Sequence, residues 1–343
     1  MRGPRVIVVG AGVMGAATAY ALALRGIEVT LVEQFSVGHT RGSSHGRSRI
    51  FRLSYPDPMY VAMAQEAMPL WRRLERAARE PLMLVTGGFD LGAEIEANAR
   101  SLAECGAPFE LLSGREAAER CPLVAFPPDC EVLYQRDGAV VLADRALRAF
   151  LNAARGRGAH VVEKARVDGI AERAERVEVT VGSERLSADL VVLTTGAWAP
   201  RLLADLGIEH VLRPTRETVS YFHHDAAPLP ALAAWGNPAV YALQAPGEGL
   251  KAGEHSAGTV ASPDEDGAPD EGSVARVSEW VRRWWPGADP SPHRSETCFY
   301  TNTPDEHFLL ERHGRVVVGS PCSGHGFKFA PLTGERLADL ALA

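Results

Sequence analysis

The run Gly10-Ala11-Gly12-Val13-Met14-Gly15 constrains this chain more than any other feature. It closes residues 5–9 (RVIVV), a β-branched run of the kind that is buried on both faces of a sheet. It opens residues 13–25, whose helical spacing ends at Gly26 and is followed by a second predicted strand, 28–33 (EVTLVE). The result is a strand–helix–strand unit of about 30 residues. Gly10 permits the tight turn, Gly12 lets a pyrophosphate approach the backbone, and Gly15 lets helix and strand pack closely. Free N–H groups at the helix start bind phosphate. Glu33 ends the second strand, where a carboxylate accepts from a ribose 2′-hydroxyl. Strand, glycines, helix and acid agree on a dinucleotide site; a structural glycine turn is the alternative.

At 343 residues the chain has about two domains' worth of length, enough to bury a core around a large cofactor. Lys and Arg number 36 against 43 Asp and Glu, a formal charge of −7. A general nucleic-acid binder would want a basic face, so none is expected as a partner, whereas anionic small molecules remain open. Hydrophobic content of 46% and charged content of 23% are those of a globular chain, not a disordered one. No apolar run approaches the roughly 18 residues of a membrane span. The N-terminal MRGPRVIVVGAG is read as the first strand rather than a signal peptide, because its apolar stretch is short and runs into the glycine motif. The five cysteines, Cys105, Cys121, Cys130, Cys298 and Cys322, are odd in number, widely spaced and free of any CxxC. That argues against a disulfide framework or a zinc site, and for the cytoplasm; no metal is expected.

Further along, the pattern predicts a long amphipathic helix over 57–80, mixed structure over 81–136 and a helix over 141–156. Short strands over 160–181 precede a buried strand at 189–193. Antiparallel strands with a helix at 271–285 are expected over 211–300, and 256–272 reads as a polar loop. A strand at 315–319 and a helix at 332–341 close the chain. The fold expected is α/β. A discontinuous Rossmann-type dinucleotide-binding domain takes 1–80, 137–210 and 296–343. A mixed α+β substrate domain on an antiparallel sheet, 81–136 and 211–295, is inserted in it. Residues 189–198 (DLVVLTTGAW), with Gly196 and Trp198 after a strand, look like the second signature of FAD oxidoreductases, a turn packed beside the dinucleotide; another α/β turn is the alternative.

Three more segments narrow the reading: HTRGSSHGRSRIFRLSY (39–55), SETCFYTNTPDEHFLLERH (295–313) and SGHGFKFAP (323–331). With the glycine fingerprint they resemble the family of monomeric sarcosine oxidase, N-methyltryptophan oxidase and pipecolate oxidase, within the D-amino-acid-oxidase-like superfamily. The resemblance runs from about residue 5 to about 335. It implies a monomeric FAD-dependent oxidase of secondary amino acids, which passes electrons to O2 and releases hydrogen peroxide.

The resemblance also assigns roles. Cys298, in TCFYTNTPDEHF, is where the family attaches flavin through a thioether; a thiolate is a competent nucleophile for that bond, although burial as a structural residue is the commoner fate of a cysteine. Tyr300 shares its strand face and would line the substrate pocket, or else be a core tyrosine. Arg52 and Lys328 are the expected carboxylate clamp, since a guanidinium fork orients a carboxylate well and a second cation strengthens the field. Lys251, in GEGLKAGEH, resembles the lysine that assists O2 reduction, and His255 a pocket histidine. His45, left free of flavin, and Arg49 would sit beside the flavin ring, and Gly324-His325-Gly326 would bring backbone N–H groups to it. Ser44 and Val167 complete the candidate cofactor contacts.

Departures matter as well. Sarcosine-specific members carry two adjacent tyrosines where this chain has Tyr241-Ala242, so a roomier pocket for a larger N-methyl or cyclic amino acid is expected. Family members also continue beyond the point matching Ala343, so either that tail is dispensable here or the chain is truncated. An NAD-dependent dehydrogenase and a non-catalytic flavin-binding protein remain alternatives that use the same glycine motif.

Overall fold

A computed structural model describes residues 3–343. Its first sheet has six strands in the order Leu309–His313, Val316–Ser320, Leu190–Leu193, Arg5–Val9, Glu28–Val32 and His160–Val162. All neighbours are parallel except the first pair, which is antiparallel. Val6, Val8, Val191 and Val192 are almost wholly buried, as continuous apolar strands between two helical layers must be. Helix Val13–Leu24 is buried nearly all round, which explains why it is apolar on every face. It packs against helices Ala143–Arg155 and Ala330–Leu342. The close approach to the latter requires Gly334, where a Cβ would stand 2.6 Å from the Ala17 carbonyl carbon.

The second sheet has nine strands. Gly88–Gly92, Glu110–Ser113 and Glu131–Gln135 come from the first half of the chain, and the strands between Arg213 and Asn302 from the second. Ala231–Trp235 joins the two sets by running parallel to Gly88–Gly92, the one parallel pair in an otherwise antiparallel sheet. A small three-stranded sheet, Ser48–Phe51, Ala139–Leu142 and Met83–Val85, lies between the two. The expected α/β architecture, with an antiparallel-type sheet inserted into a discontinuous dinucleotide fold, is what the chain forms.

Helix Pro58–Ala78 starts where Asp57 Oδ1 accepts the Met59 N–H at 2.8 Å and stops at Arg79, whose φ is +56°. Helix Glu271–Trp284 starts at Asp270, which accepts the Ser273 N–H at 2.6 Å. Two segments sit otherwise than the division by sequence put them. Residues 296–302 belong to strand Arg294–Asn302, which pairs along its length with Arg213–Phe222 in the nine-stranded sheet. Met83–Val85 pairs with Ala139–Leu142, across the boundary drawn at 136. Both depend on partners far away in sequence. The 256–272 loop contains a two-residue strand, Thr259–Val260, on the edge of the large sheet.

Candidate active site

The glycine motif has the geometry its spacing demands. Gly10 has φ +95°, and a Cβ there would lie 2.6 Å from the Thr194 carbonyl oxygen. At Gly15 a Cβ would stand 1.8 Å from the Gly10 oxygen, so any side chain would pry helix from strand. Gly12 differs: its only protein neighbour within 4 Å is Ser44, with Oγ at 3.1 Å, and its outer side is open to a cavity. Ser44 Oγ accepts the Val13 N–H at 3.0 Å. Glu33 is buried and accepts the N–H groups of Ala11 at 2.8 Å and Phe35 at 2.9 Å. The second signature locks to the first: Thr194 Oγ1 donates to Val9 O at 3.0 Å and lies 3.1 Å from Gly10 O. Gly196 turns the chain at φ +51°. Trp198 packs edge-on against Phe35 and donates its Nε1–H to Asp264 at 2.9 Å, so the 256–272 loop closes over this end.

One cavity runs from this cradle to the nine-stranded sheet, with about 1990 Å³ of empty space including its open mouth. Its course from a backbone cradle that a Cβ would fill to the polar groups on the nine-stranded sheet fits an extended dinucleotide with a substrate beyond it. Gly10, Gly12, Glu33, Ser44, Arg49, Val167, Gly196 and Trp198 all face it. So do Cys298, Gly324, Gly326, Arg52, Lys251, His255, Tyr300 and Lys328. Gly15 and His45 do not. Gly15 lies beneath Gly10, and the His45 ring is buried behind the wall with Nδ1 unpartnered. Burial and neighbouring Arg49 push His45 down to about 4, so it is neutral at physiological pH.

At the far end two basic side chains bracket one tyrosine. The Arg52 guanidinium lies 4.3 Å from the Tyr55 ring and 4.6 Å from that of Trp235. Lys328 Nζ donates to the Tyr55 hydroxyl at 2.7 Å and to His325 O at 2.9 Å. Burial drives Lys328 well below the ordinary lysine range; Arg52 adds repulsion and Asp90 opposes it. Burial, with Arg52 and Lys328, likewise takes His255 down to about 4. Both histidine rings here are neutral, because burial and Lys328 hold His325 at about 3. Gly324, at φ +76°, lets the Tyr300 ring approach, for a Cβ would meet that ring at 2.3 Å. Burial and the adjacent Tyr241 raise Tyr300 well above a normal phenol.

Motif reading passed over three residues here. Asp90 is buried; it accepts Ser54 Oγ–H at 2.5 Å and Trp235 Nε1–H at 2.9 Å, and its Oδ1 is 3.6 Å from Arg52 Nη1. Tyr55 and Trp235 place their rings against the Arg52 guanidinium, and Trp235 also faces the cavity. The signals available were an acid inside an apolar strand (GGFDLG) and Tyr55 at the end of the 39–55 motif.

A second cluster lies nearer the cradle. Cys298 and Tyr300, two apart on one strand, both face the cavity as period-two alternation requires. Arg49 donates to the carbonyls of Ser43 and His45, each at 2.7 Å, and of Ser48 at 2.8 Å, so it organises the 43–48 loop as well as facing the cavity. Lys251 is buried, with Nζ 3.4 Å from Ser48 O. Burial and Arg49 lower it to about 7, against Cys298 and Glu296, which raise it. Burial pushes the Cys298 thiol up, while Arg49 and Lys251 pull it back.

The reasoning from Ala242 fails. Tyr241 and Leu243 face the cavity, whereas Ala242 points to the other face of its strand and is fully buried among Leu232, Leu250 and Ala252. Its small side chain does not enlarge the pocket.

Fold and cavity together define a dinucleotide-dependent oxidoreductase. The family model described as FAD dependent oxidoreductase matches residues 5–340, and the chain belongs to that family. Monomeric sarcosine oxidase of Bacillus sp. (strain B-0618) is 32% identical over 98% of this chain and 92% of that protein. Peroxisomal sarcosine oxidase of Homo sapiens is 36% identical over 98% of this chain and 91% of that protein. Among solved structures, NikD, an unusual amino acid oxidase essential for nikkomycin biosynthesis, superposes with a TM-score of 0.88 at 28% identity, over 100% of this chain and 94% of that one. These findings give no support to an NAD-dependent dehydrogenase.

Proposed function

We propose that this protein is an FAD-dependent oxidase of secondary amino acids, N-methyl or cyclic, forming an imine that water hydrolyses. The carrying observation is the pair of basic side chains, part-buried Arg52 and buried Lys328, facing one cavity end with Asp90 beside Arg52. A substrate carboxylate there would pair with Arg52 and favour the charged form of Lys328, which burial alone disfavours. Arg52, stacked between Tyr55 and Trp235, presents a fixed fork to the carboxylate. Lys328 would add a second partner to the carboxylate once that carboxylate stabilises its charged form. The neutral rings of His255 and His325 add no competing charge. The substrate reacts as its free amine, because a protonated nitrogen has no lone pair to stabilise the carbon as the C–H electron pair leaves.

The chemistry FAD would supply when bound is two-electron acceptance: the C–H and N–H hydrogens and two electrons leave the amine, and O2 takes up two electrons and two protons to give hydrogen peroxide. Gly10, Gly12, Ser44, Glu33 and the start of helix Val13–Leu24 would hold its dinucleotide part. Cys298 is the proposed point of covalent attachment, with Arg49 and Lys251 favouring its thiolate. Lys251 supplies the positive charge for O2 chemistry. Support for a monomer comes from the relatives named monomeric. The five cysteines, all free, are compatible with the cytoplasm. No helix among the described residues is long and apolar enough to cross a membrane.

The test is a peroxide-coupled screen of N-methyl and cyclic amino acids on purified yellow protein, beside matched amines that lack a carboxylate. Turnover confined to the carboxylates supports the reading, and equal turnover of both sets removes the clamp.

A further inference from the structure

We propose that His210, Glu311 and His313 form a divalent-metal site, best suited to Zn2+, on the outer edge of the six-stranded sheet. Glu311 and His313 are two residues apart on the edge strand Leu309–His313 and so share one face. His210 comes from the segment between helix Ala199–Asp205 and strand Arg213–Phe222. One oxygen, Glu311 Oε2, lies 3.0 Å from His210 Nε2 and 3.1 Å from His313 Nε2. The three donor atoms all lie within 4.8 Å of one another.

Zinc with bonds of about 2.0–2.1 Å holds tetrahedral N and O ligands about 3.3 Å apart, so small side-chain shifts convert this cluster into a coordination shell. Two imidazoles and a carboxylate with a solvent-facing fourth position are a ligand set zinc accepts. The three side chains are 26%, 44% and 40% exposed, so an ion and a water can reach them.

The backbone is set in advance. Leu212, two residues after His210, and Leu309, two before Glu311, lie in the same buried cluster, and Ile208 packs against it. The core therefore presses the two segments together, and little ordering is left to oppose binding. Without a metal the cluster makes only part-buried, partly solvated contacts of small value. On binding, the metal takes the Nε2 lone pair of each ring and an oxygen of Glu311. A neutral ring keeps its proton on Nδ1, and a protonated ring releases one proton to water. No redox change is involved. The ion would tie the edge of the six-stranded sheet to the segment that leads into Arg213–Phe222, the partner of the strand carrying Cys298 and Tyr300.

Zn2+ is titrated calorimetrically into the FAD-loaded enzyme and into H210A, H313A and, as a control, H223A, whose ring stacks on His293 at 4.2 Å elsewhere on the surface. Thermal unfolding is followed with and without zinc. The expected result is one bound ion and a raised Tm in the wild type and H223A. Affinity in H210A and in H313A should fall by more than the roughly 10–100-fold that losing an outer-shell partner costs. Binding unchanged in both variants, or no heat and no Tm shift in the wild type, overturns the proposal. Since flavin content and turnover do not enter the readout, failure here is separate from failure of the oxidase reading.

Discussion

Arg52 Nη1 stands 3.6 Å from Asp90 Oδ1, and Asp90 is held there by Ser54 and Trp235, so the proposed carboxylate clamp rests on a buried acid of the nine-stranded sheet. In the proposed reading Asp90 acts through Arg52 as a positioning residue. Asp90→Asn keeps the shape but removes the charge and reverses one hydrogen bond. Misplacement of a positioning group by an ångström can cost up to about 10² in rate, so we expect kcat to fall about tenfold with a smaller change in KM. Steady-state kinetics on the best substrate checks this, and an unchanged kcat would remove Asp90 from the role.

Arg52 itself contacts the substrate in this reading. Losing one charge-assisted partner costs roughly 1.5–3 kcal/mol, so Arg52→Ala should weaken binding of a carboxylate substrate or inhibitor about tenfold to a hundredfold. Equilibrium titration with a non-reactive carboxylic acid reads it directly. Loss of the same size with a carboxylate-free ligand would contradict the clamp.

Lys251 titrates at about 7, pushed down by burial and Arg49. Its charge is present below that pH and lost above it. The reaction of reduced enzyme with O2 should therefore slow as pH rises through about 7. Lys251→Met should remove this dependence and slow the reaction by about 10², the usual cost of one preorganised charge. Stopped-flow reoxidation across pH tests both parts, and a flat profile in the wild type argues against Lys251.

Covalent attachment has a simple signature. Acid-precipitated wild type should stay yellow, whereas Cys298→Ser should release its FAD to the supernatant. A colourless wild-type pellet would falsify the thioether.

Ala242 is fully buried in the core, away from the cavity. Ala242→Tyr should therefore overpack that core and cost about 1–3 kcal/mol or more of stability. Differential scanning calorimetry should show a lowered Tm while the ranking of substrates stays the same. A switch toward sarcosine without loss of stability would mean the strand faces are reversed.

Much of the site was legible because its chemistry lies in contiguous runs. Gly10, Gly12 and Gly15 announce the cradle, and the strands and helix around them follow from local periodicity. Segments 39–55, 295–313 and 323–331 point to Arg52, Cys298, Tyr300 and Lys328, and all four face the cavity. His45 shares its segment with Arg49 and Arg52, yet its ring is turned behind the wall. A motif names residues and leaves their direction open.

Which strand pairs with which was not legible. Arg294–Asn302 reads locally like any strand near the end of the chain, and its place beside Arg213–Phe222 depends on hydrogen bonds across more than seventy residues. The face of Ala242 depends on register, because a one-residue shift turns every side chain to the opposite side. Asp90 looked like one acid in an apolar strand until folding brought Ser54, Trp235 and Arg52 around it. Local spacing thus determined the dinucleotide cradle and the family motifs, since a turn, a helix start and a strand are each specified by neighbours in the chain. Tertiary structure decided the strand pairing, the direction of each side chain and the charge state of Lys251, Lys328 and His255, since burial and long-range neighbours are properties of the folded chain alone.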